Sequence, residues 1–172
     1  MDLRDHILDV PDYPKPGIVF KDITPLLGQA DALGVAIERM AAAFRGERID
    51  VVVGMESRGF LLGAPLAMAL GAGFVPARKA GKLPRETRSK TYALEYGEAT
   101  LEMHADAFGH GARVLICDDV LATGGTAAAT ISLCHALGGE VAGLTFLLEL
   151  EYLNGRAALG EHTVVSLVRY SS

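Results

Sequence analysis

The sequence predicts an α/β protein built on a doubly wound, mostly parallel sheet flanked by helices, and three observations carry that prediction. Apolar runs without alternation recur along the chain, as strands buried on both faces require. Segments of helical periodicity lie between most of them, the order that yields parallel strands joined by crossover helices. Two of the runs end in glycine- and hydroxyl-containing loops just before a helix, where sheets of this kind bind ligands.

Strands are expected at residues 51–54, 73–77, 114–117, 141–148 and 163–168. A helix over 30–44 puts Leu33, Ile37, Met40 and Phe44 on one stripe, and the leucine- and alanine-rich stretch 60–70 makes a second. A third begins beyond Gly124 and Gly125, with Ala127, Ile131 and Cys134 on one face, and stops at Gly138 and Gly139. Two regions break the alternation. Pro11, Pro14, Pro16, Gly17 and Pro25 preclude a long regular element over 11–29, and residues 78–98 are strongly polar. Long irregular segments in a compact domain are usually functional.

A chain of 172 residues, half of them hydrophobic, forms a single domain over 1–172 with a sizeable core. The net charge of −5 argues against general nucleic-acid binding. Cys117 and Cys134 fall in a central strand and its following helix, and without a CxxC or clustered histidines they read as small buried thiols in a reducing compartment. The charged opening MDLRDHILDV has no apolar core, so no signal peptide and no membrane association are expected, and the location is cytoplasmic. His6, His104, His110, His135 and His162 are dispersed and read as structural or surface residues.

The segment VLICDDVLATGGT, residues 114–126, carries the most chemistry. Its strand feeds a loop in which Gly124 and Gly125 let backbone amides approach an anion at a helix N-terminus, and Thr123 and Thr126 add hydroxyls. It contains no lysine and no GK[ST], so a single phosphate fits better than a nucleoside triphosphate. Asp118 and Asp119 would repel phosphate but accept hydrogen bonds from vicinal hydroxyls. Adjacent strand residues point to opposite faces, so both reach one sugar only if the chain is already turning there. On this segment alone, two solvated aspartates before an ordinary glycine turn stay an alternative.

A second strand-to-helix loop, Gly54, Met55, Glu56, Ser57, Arg58 and Gly59, has the same anion-facing geometry. Alone it is equally compatible with Arg58 pairing a surface acid. The polar segment RKAGKLPRETRSKTYALEYG concentrates Arg78, Lys79, Lys82, Arg85, Arg88 and Lys90 on an acidic protein, a distribution that attracts a polyphosphate. Lys79 and Lys82 are the favoured ligands, Gly81 and Pro84 suit a mobile lid, and Arg85 to Lys90 read equally well as a solvated loop. The segment PGIVFKDITPLL reads by composition only as a proline-bounded extended stretch with one aromatic residue.

In this order the segments resemble the adenine phosphoribosyltransferases. VLICDDVLATGGT resembles the phosphoribosyl-pyrophosphate signature of type I phosphoribosyltransferases; ESRGF, RKAGKLP and LEYG accompany it, and PGIVFKDITPLL is specific to the adenine enzymes. The likeness spans residues 14–170, with mild departures at Met55 and Val120. It implies the type I fold with a small N-terminal hood over 1–30 and a flexible catalytic loop over 78–98. It further implies transfer of the phosphoribosyl group of phosphoribosyl pyrophosphate to N9 of adenine, giving AMP and pyrophosphate.

The same resemblance distributes the site residues. Val19 and Lys21 present main-chain groups to the base, Phe20 covers one face, and Arg58 approaches from elsewhere. Glu56, Ser57, Arg58 and Gly59 hold pyrophosphate through a cis Glu56–Ser57 bond, with Arg78, Lys79 and Lys82. Asp118 and Asp119 hold the ribose, Ala122, Thr123, Gly124, Gly125 and Thr126 hold its 5′-phosphate, and Val120 and Leu121 belong to the same substrate-binding segment. Glu95 is the catalytic acid/base group and Tyr96 helps close the loop. Magnesium rides on pyrophosphate and ribose oxygens without a protein metal site. A homodimer is implied, with Arg78 at or across the subunit boundary. Two other readings are a phosphoribosyltransferase for hypoxanthine, guanine or xanthine, against which residues 16–27 argue, and a non-catalytic sensor of phosphoribosyl pyrophosphate. The sensor would need an appended partner-binding segment, for which 172 residues leave no room.

Overall fold

The computed structural model describes residues 1–94 and 96–172. The chain opens with a hairpin of β1 (Leu8–Pro11) and β2 (Val19–Asp22), followed by α1 (Thr24–Leu27) and α2 (Ala30–Ala42). The alternating part contains β3 (Val51–Met55), α3 (Arg58–Leu70) and β4 (Gly73–Lys79), then an antiparallel pair, β5 (Thr87–Ala93) and β6 (Glu98–His104). It resumes with β7 (Arg113–Leu121), α4 (Gly125–Ala136), β8 (Glu140–Leu150), two 3-10 turns (Glu151–Leu153 and Gly155–Leu159) and β9 (Val164–Tyr170). The seven-stranded sheet runs β5-β6-β4-β3-β7-β8-β9, parallel from β4 to β9.

Both faces of the parallel part are covered, which is why its strands lack alternation. Val52, Leu115 and Cys117 pack with Ile37, Met40, Leu62 and Leu66 of α2 and α3. Val51, Val53, Val114 and Ile116 point the other way, onto Ile131, Leu133 and Cys134 of α4. The two thiols therefore lie on opposite faces of the sheet, and both are free and buried. The expected helical stripe holds: Ile37, Met40 and Phe44 are buried, and Leu33 packs against them.

The sheet changes direction between β3 and β7, since β4 lies on the far side of β3. Pairing of β3 with β7 stops at Gly54 opposite Cys117, whereas β7 continues beside β8 until Leu121 opposes Glu149. Residues 118–121 thus have a strand neighbour on one side only, and the other side opens into a cleft. This is the switch point at which open α/β sheets bind ligands.

Two expectations change and a third holds. The strand expected to end at Cys117 continues through Asp118 and Asp119 to Leu121, and the two aspartates line one cleft without a turn there, beyond the point where pairing with β3 stops. Residues 78–98, expected as a loop, hold the end of β4 and all of β5, which is paired along its length with β6. Buried Leu101 and Met103 of β6 give that pair its inner face, while charged Arg88 and Lys90 stand on the edge strand, a common protection of sheet edges. Residues 11–29, expected to lack a long element, hold only the end of β1, β2 and the short α1.

Candidate active site

The end of β7 and the first turn of α4 enclose a cavity of about 80 Å³ bounded by Met55, Asp118, Phe146 and residues 120–127. The five residues expected to hold a phosphate, Ala122 to Thr126, line it, together with Val120 and Leu121. Gly124 sits at φ 85°, and a Cβ there would stand 2.4 Å from the Gly155 carbonyl oxygen, so only glycine fits. The Thr126 hydroxyl lies 3.0 Å from the Tyr92 hydroxyl, which ties the β5–β6 pair to the cradle.

Beside it lies a cleft of about 740 Å³ that Asp118 and Asp119 both enter. Asp119 is 4% exposed and accepts a hydrogen bond from Arg58 Nε. Burial, together with the charge of Asp119, pushes the Asp118 carboxyl well above the ordinary carboxylate range. Gly59 permits this closeness, because a Cβ there would meet Asp118 Oδ1 at 2.8 Å.

The Glu56–Ser57 peptide is cis, as the resemblance implies. The Glu56 side chain is 7% exposed and accepts from the Lys79 amide at 2.8 Å and from Lys82 Nζ, with Arg78 Nε 3.5 Å away. Burial raises its pKa, but the hydrogen bonds from Lys82 and Lys79 and the charges of Lys82 and Arg78 outweigh that, holding it below the usual range. Two cationic side chains, Lys82 and Arg78, thus gather round one carboxylate that Lys79 reaches through its backbone amide, leaving a net positive wall. Glu56, Ser57, Arg58 and Lys79 line the cleft itself, and Lys82 and Arg78 flank it through Glu56.

At the other end, residues 17–21 form a rim. The Phe20 ring meets Tyr13 edge-on at 5.2 Å, and the Arg58 guanidinium lies 5.2 Å from its centroid. Arg58, at the start of α3, thus comes from another segment to the Phe20 ring. The Lys21 ammonium pairs with Asp9 at 2.7 Å and sits 4.1 Å from the Tyr170 ring centroid, so its side chain anchors the strand. Val19 is 43% exposed.

Sequence reasoning missed the facing wall, Leu148, Leu150, Tyr152 and Leu153. Its signal was present in LLELEYL, where apolar residues alternate with Glu149 and Glu151 beyond the expected strand. Tyr96 is 81% exposed, with Lys15 5.9 Å from its ring centroid, outside the cleft wall. Glu95, the expected acid/base group, lies outside the described residues. Among the described residues no group of three or more His, Cys, Asp or Glu could hold a metal ion, and no helix is long and apolar enough to cross a membrane.

Comparison with known proteins agrees with this geometry. The model of the phosphoribosyl transferase domain matches residues 27–159. An adenine phosphoribosyltransferase of Myxococcus xanthus is 56% identical over 169 residues, covering 98% of this chain and 92% of that protein. The crystal structure of adenine phosphoribosyltransferase from Thermoanaerobacter pseudethanolicus superimposes with a TM-score of 0.95 at 50% identity, covering 98% of both chains. That of the Giardia lamblia enzyme with 9-deazaadenine gives 0.93 at 39% identity, covering 100% of this chain and 99% of that one. The chain belongs to the phosphoribosyl transferase domain family, and within it to the adenine phosphoribosyltransferases.

Proposed function

We infer that this chain transfers the phosphoribosyl group of phosphoribosyl pyrophosphate to N9 of adenine, forming AMP and pyrophosphate in purine salvage, with the cleft residues in the roles given below. The observation that carries the reading is the junction of a one-phosphate cavity, a diol-accepting aspartate pair and a cationic wall at a single sheet switch point. The relatives share that activity by name, and the Giardia lamblia structure holds an adenine analogue.

In this account residues 120–126 bind the 5′-phosphate through loop amides, the Thr123 and Thr126 hydroxyls and the positive end of α4. Asp118 and Asp119 accept from the ribose hydroxyls. The loop from Glu56 to Gly59, with Arg78, Lys79 and Lys82, receives the leaving pyrophosphate. Charge develops on that leaving group as the anomeric carbon becomes oxocarbenium-like, so donors fixed in advance favour the transition state over the bound substrate. Lys82 and Arg58 are held by Glu56 and Asp119 and exchange part of those contacts for substrate oxygens.

Main-chain groups of Val19 and Lys21 read the base edge, with Phe20 on one face and the Leu148, Leu150 wall opposite. An acceptor aimed at the 6-amino group of adenine faces an acceptor oxygen in hypoxanthine or guanine, and such a mismatch in a closed site costs up to about 10⁴-fold. Glu95 handles the proton near N7, and Tyr96 closes over it. Residues 1–30 act as the hood and residues 78–98 as the closing segment; the homodimer, with Arg78 near its boundary, and the cytoplasmic location belong to the same reading.

Two aspartates, one already paired with Arg58, are too few for an all-protein magnesium cage. They suit an ion that keeps its waters and is carried on substrate oxygens. When bound, magnesium supplies charge neutralisation at the pyrophosphate.

The test is stoichiometric. Protein, magnesium, adenine and phosphoribosyl pyrophosphate are mixed, and AMP and pyrophosphate are measured; equal yields are expected, and pyrophosphate released without AMP contradicts the reading.

A further inference from the structure

Arg156 and Glu149 lie outside the cleft wall, and nothing in the reaction just described uses them. Glu149 is 3% exposed on β8, directly opposite Leu121, the last residue of β7 before the phosphate loop. Arg156 belongs to the 3-10 turn Gly155–Leu159. Its Nε and Nη2 donate to the two Glu149 oxygens at 2.7 Å each, and Nη1 donates to the Val164 carbonyl at 3.0 Å. One planar guanidinium therefore fastens the turn to two strands, a fixed fork that an ammonium cannot reproduce.

The turn is itself the back of the phosphate loop. A Cβ on Gly155 would stand 2.3 Å from the Ala122 carbonyl oxygen, and one on Gly124 would stand 2.4 Å from the Gly155 carbonyl oxygen and 3.0 Å from Ala158 Cβ. The two backbones touch with no side chain between them, so any shift of the turn moves the loop. Leu159, 2% exposed, pins its far end in the core. Arg156 aims its hydrogen bonds at Glu149 and Val164, so it acts on the loop through position rather than contact.

We propose that the Glu149–Arg156 pair is a positioning device for the ribosyl-phosphate site, holding the 155–159 turn against the Ala122–Gly124 backbone so that the loop amides converge on one phosphate. The inference rests on the proposed function for the identity of its ligand. Misplacing a binding group by about an ångström costs up to 10²-fold, so Arg156→Met and Glu149→Gln should each raise the KM for phosphoribosyl pyrophosphate about ten-fold or more. The dissociation constant of ribose 5-phosphate should rise in parallel, while the KM for adenine changes less than about two-fold. Arg156→Lys, which keeps the charge and loses the fork, should fall between. Arg169→Met is the control: Arg169 Nε also faces Glu149, at 3.8 Å, but Arg169 lies on β9, outside the turn. It should leave both KM values unchanged.

The experiment measures both KM values, ribose 5-phosphate binding by calorimetry and thermal unfolding for all four variants. Equal rises in the two KM values, or an Arg169→Met effect matching that of Arg156→Met, would overturn the proposal, as would unchanged ribose 5-phosphate binding in folded Arg156→Lys. If Arg156→Met does not fold, Arg156→Lys decides alone. Failure of the wild type to make AMP would sink the functional reading, while the ribose 5-phosphate arm would still judge the clamp.

Discussion

Asp118 shows what the site costs the fold. It sits beside buried Asp119, and burial together with that neighbouring charge raises its pKa. A carboxyl whose folded pKa is raised contributes stability that is full below its unfolded value near 3.8 and is lost as pH climbs through the folded value. At neutral pH the carboxyl therefore opposes folding. Asp118→Asn should raise Tm at pH 7, by about 2–4 °C for each 1 kcal/mol recovered in a chain of this size, and the gain should vanish near pH 3. The same variant should lose activity because an amide NH2 replaces one of the oxygens that accept from the ribose hydroxyls. A lower Tm at pH 7 would mean that the Asp118 charge is supported by its surroundings. Glu95 carries the separate claim to catalysis: Glu95→Gln should lower kcat by ~10²–10⁴-fold and leave the AMP dissociation constant nearly unchanged, whereas equal losses in both would make it a binding residue.

Between residues and the whole molecule, elements decide what the sequence could reveal. The buried strands and the glycine loop before α4 were legible because burial on both faces and the need for close backbone approach each write a composition, apolar runs in one case and glycines in the other. The β5–β6 pair was not legible. Its outer strand is paired on one side only and exposes most of Thr87–Ala93, so polarity masked a strand pattern that Thr91 and Tyr92 only hinted at. The partners of Lys82 and Arg58 were equally hidden, since Glu56 and Asp119 come from other turns of the fold and no spacing encodes such a meeting. Gly124, by contrast, is fixed by both φ and contact. Gly124→Ala should raise the KM for phosphoribosyl pyrophosphate far more than that for adenine, since the added methyl group pushes the loop off the Gly155–Leu159 turn. Unaltered kinetics would show that the loop is not held by that contact.

Across the whole molecule, acid stability should follow the ion pair that fastens the Gly155–Leu159 turn to β8. Burial raises the Glu149 pKa, but the Arg156 hydrogen bonds and charge outweigh it and leave it lowered. Its contribution is then full above the unfolded value of 4.5 and lost as pH falls through the depressed folded value. Wild type should therefore lose more stability than Glu149→Gln on acidification below pH 4.5, and parallel Tm curves would contradict the linkage. Residues 17–21, the sheet switch point and the loop before α4 meet in one cleft, and their joint claim is that main-chain groups near Phe20 select the base while the sheet edge holds the ribosyl phosphate. The most direct measurement is the ratio of kcat/KM for adenine to that for hypoxanthine, with magnesium and phosphoribosyl pyrophosphate held constant. A ratio on the order of 10³–10⁴ is predicted; comparable values for the two bases would contradict the account.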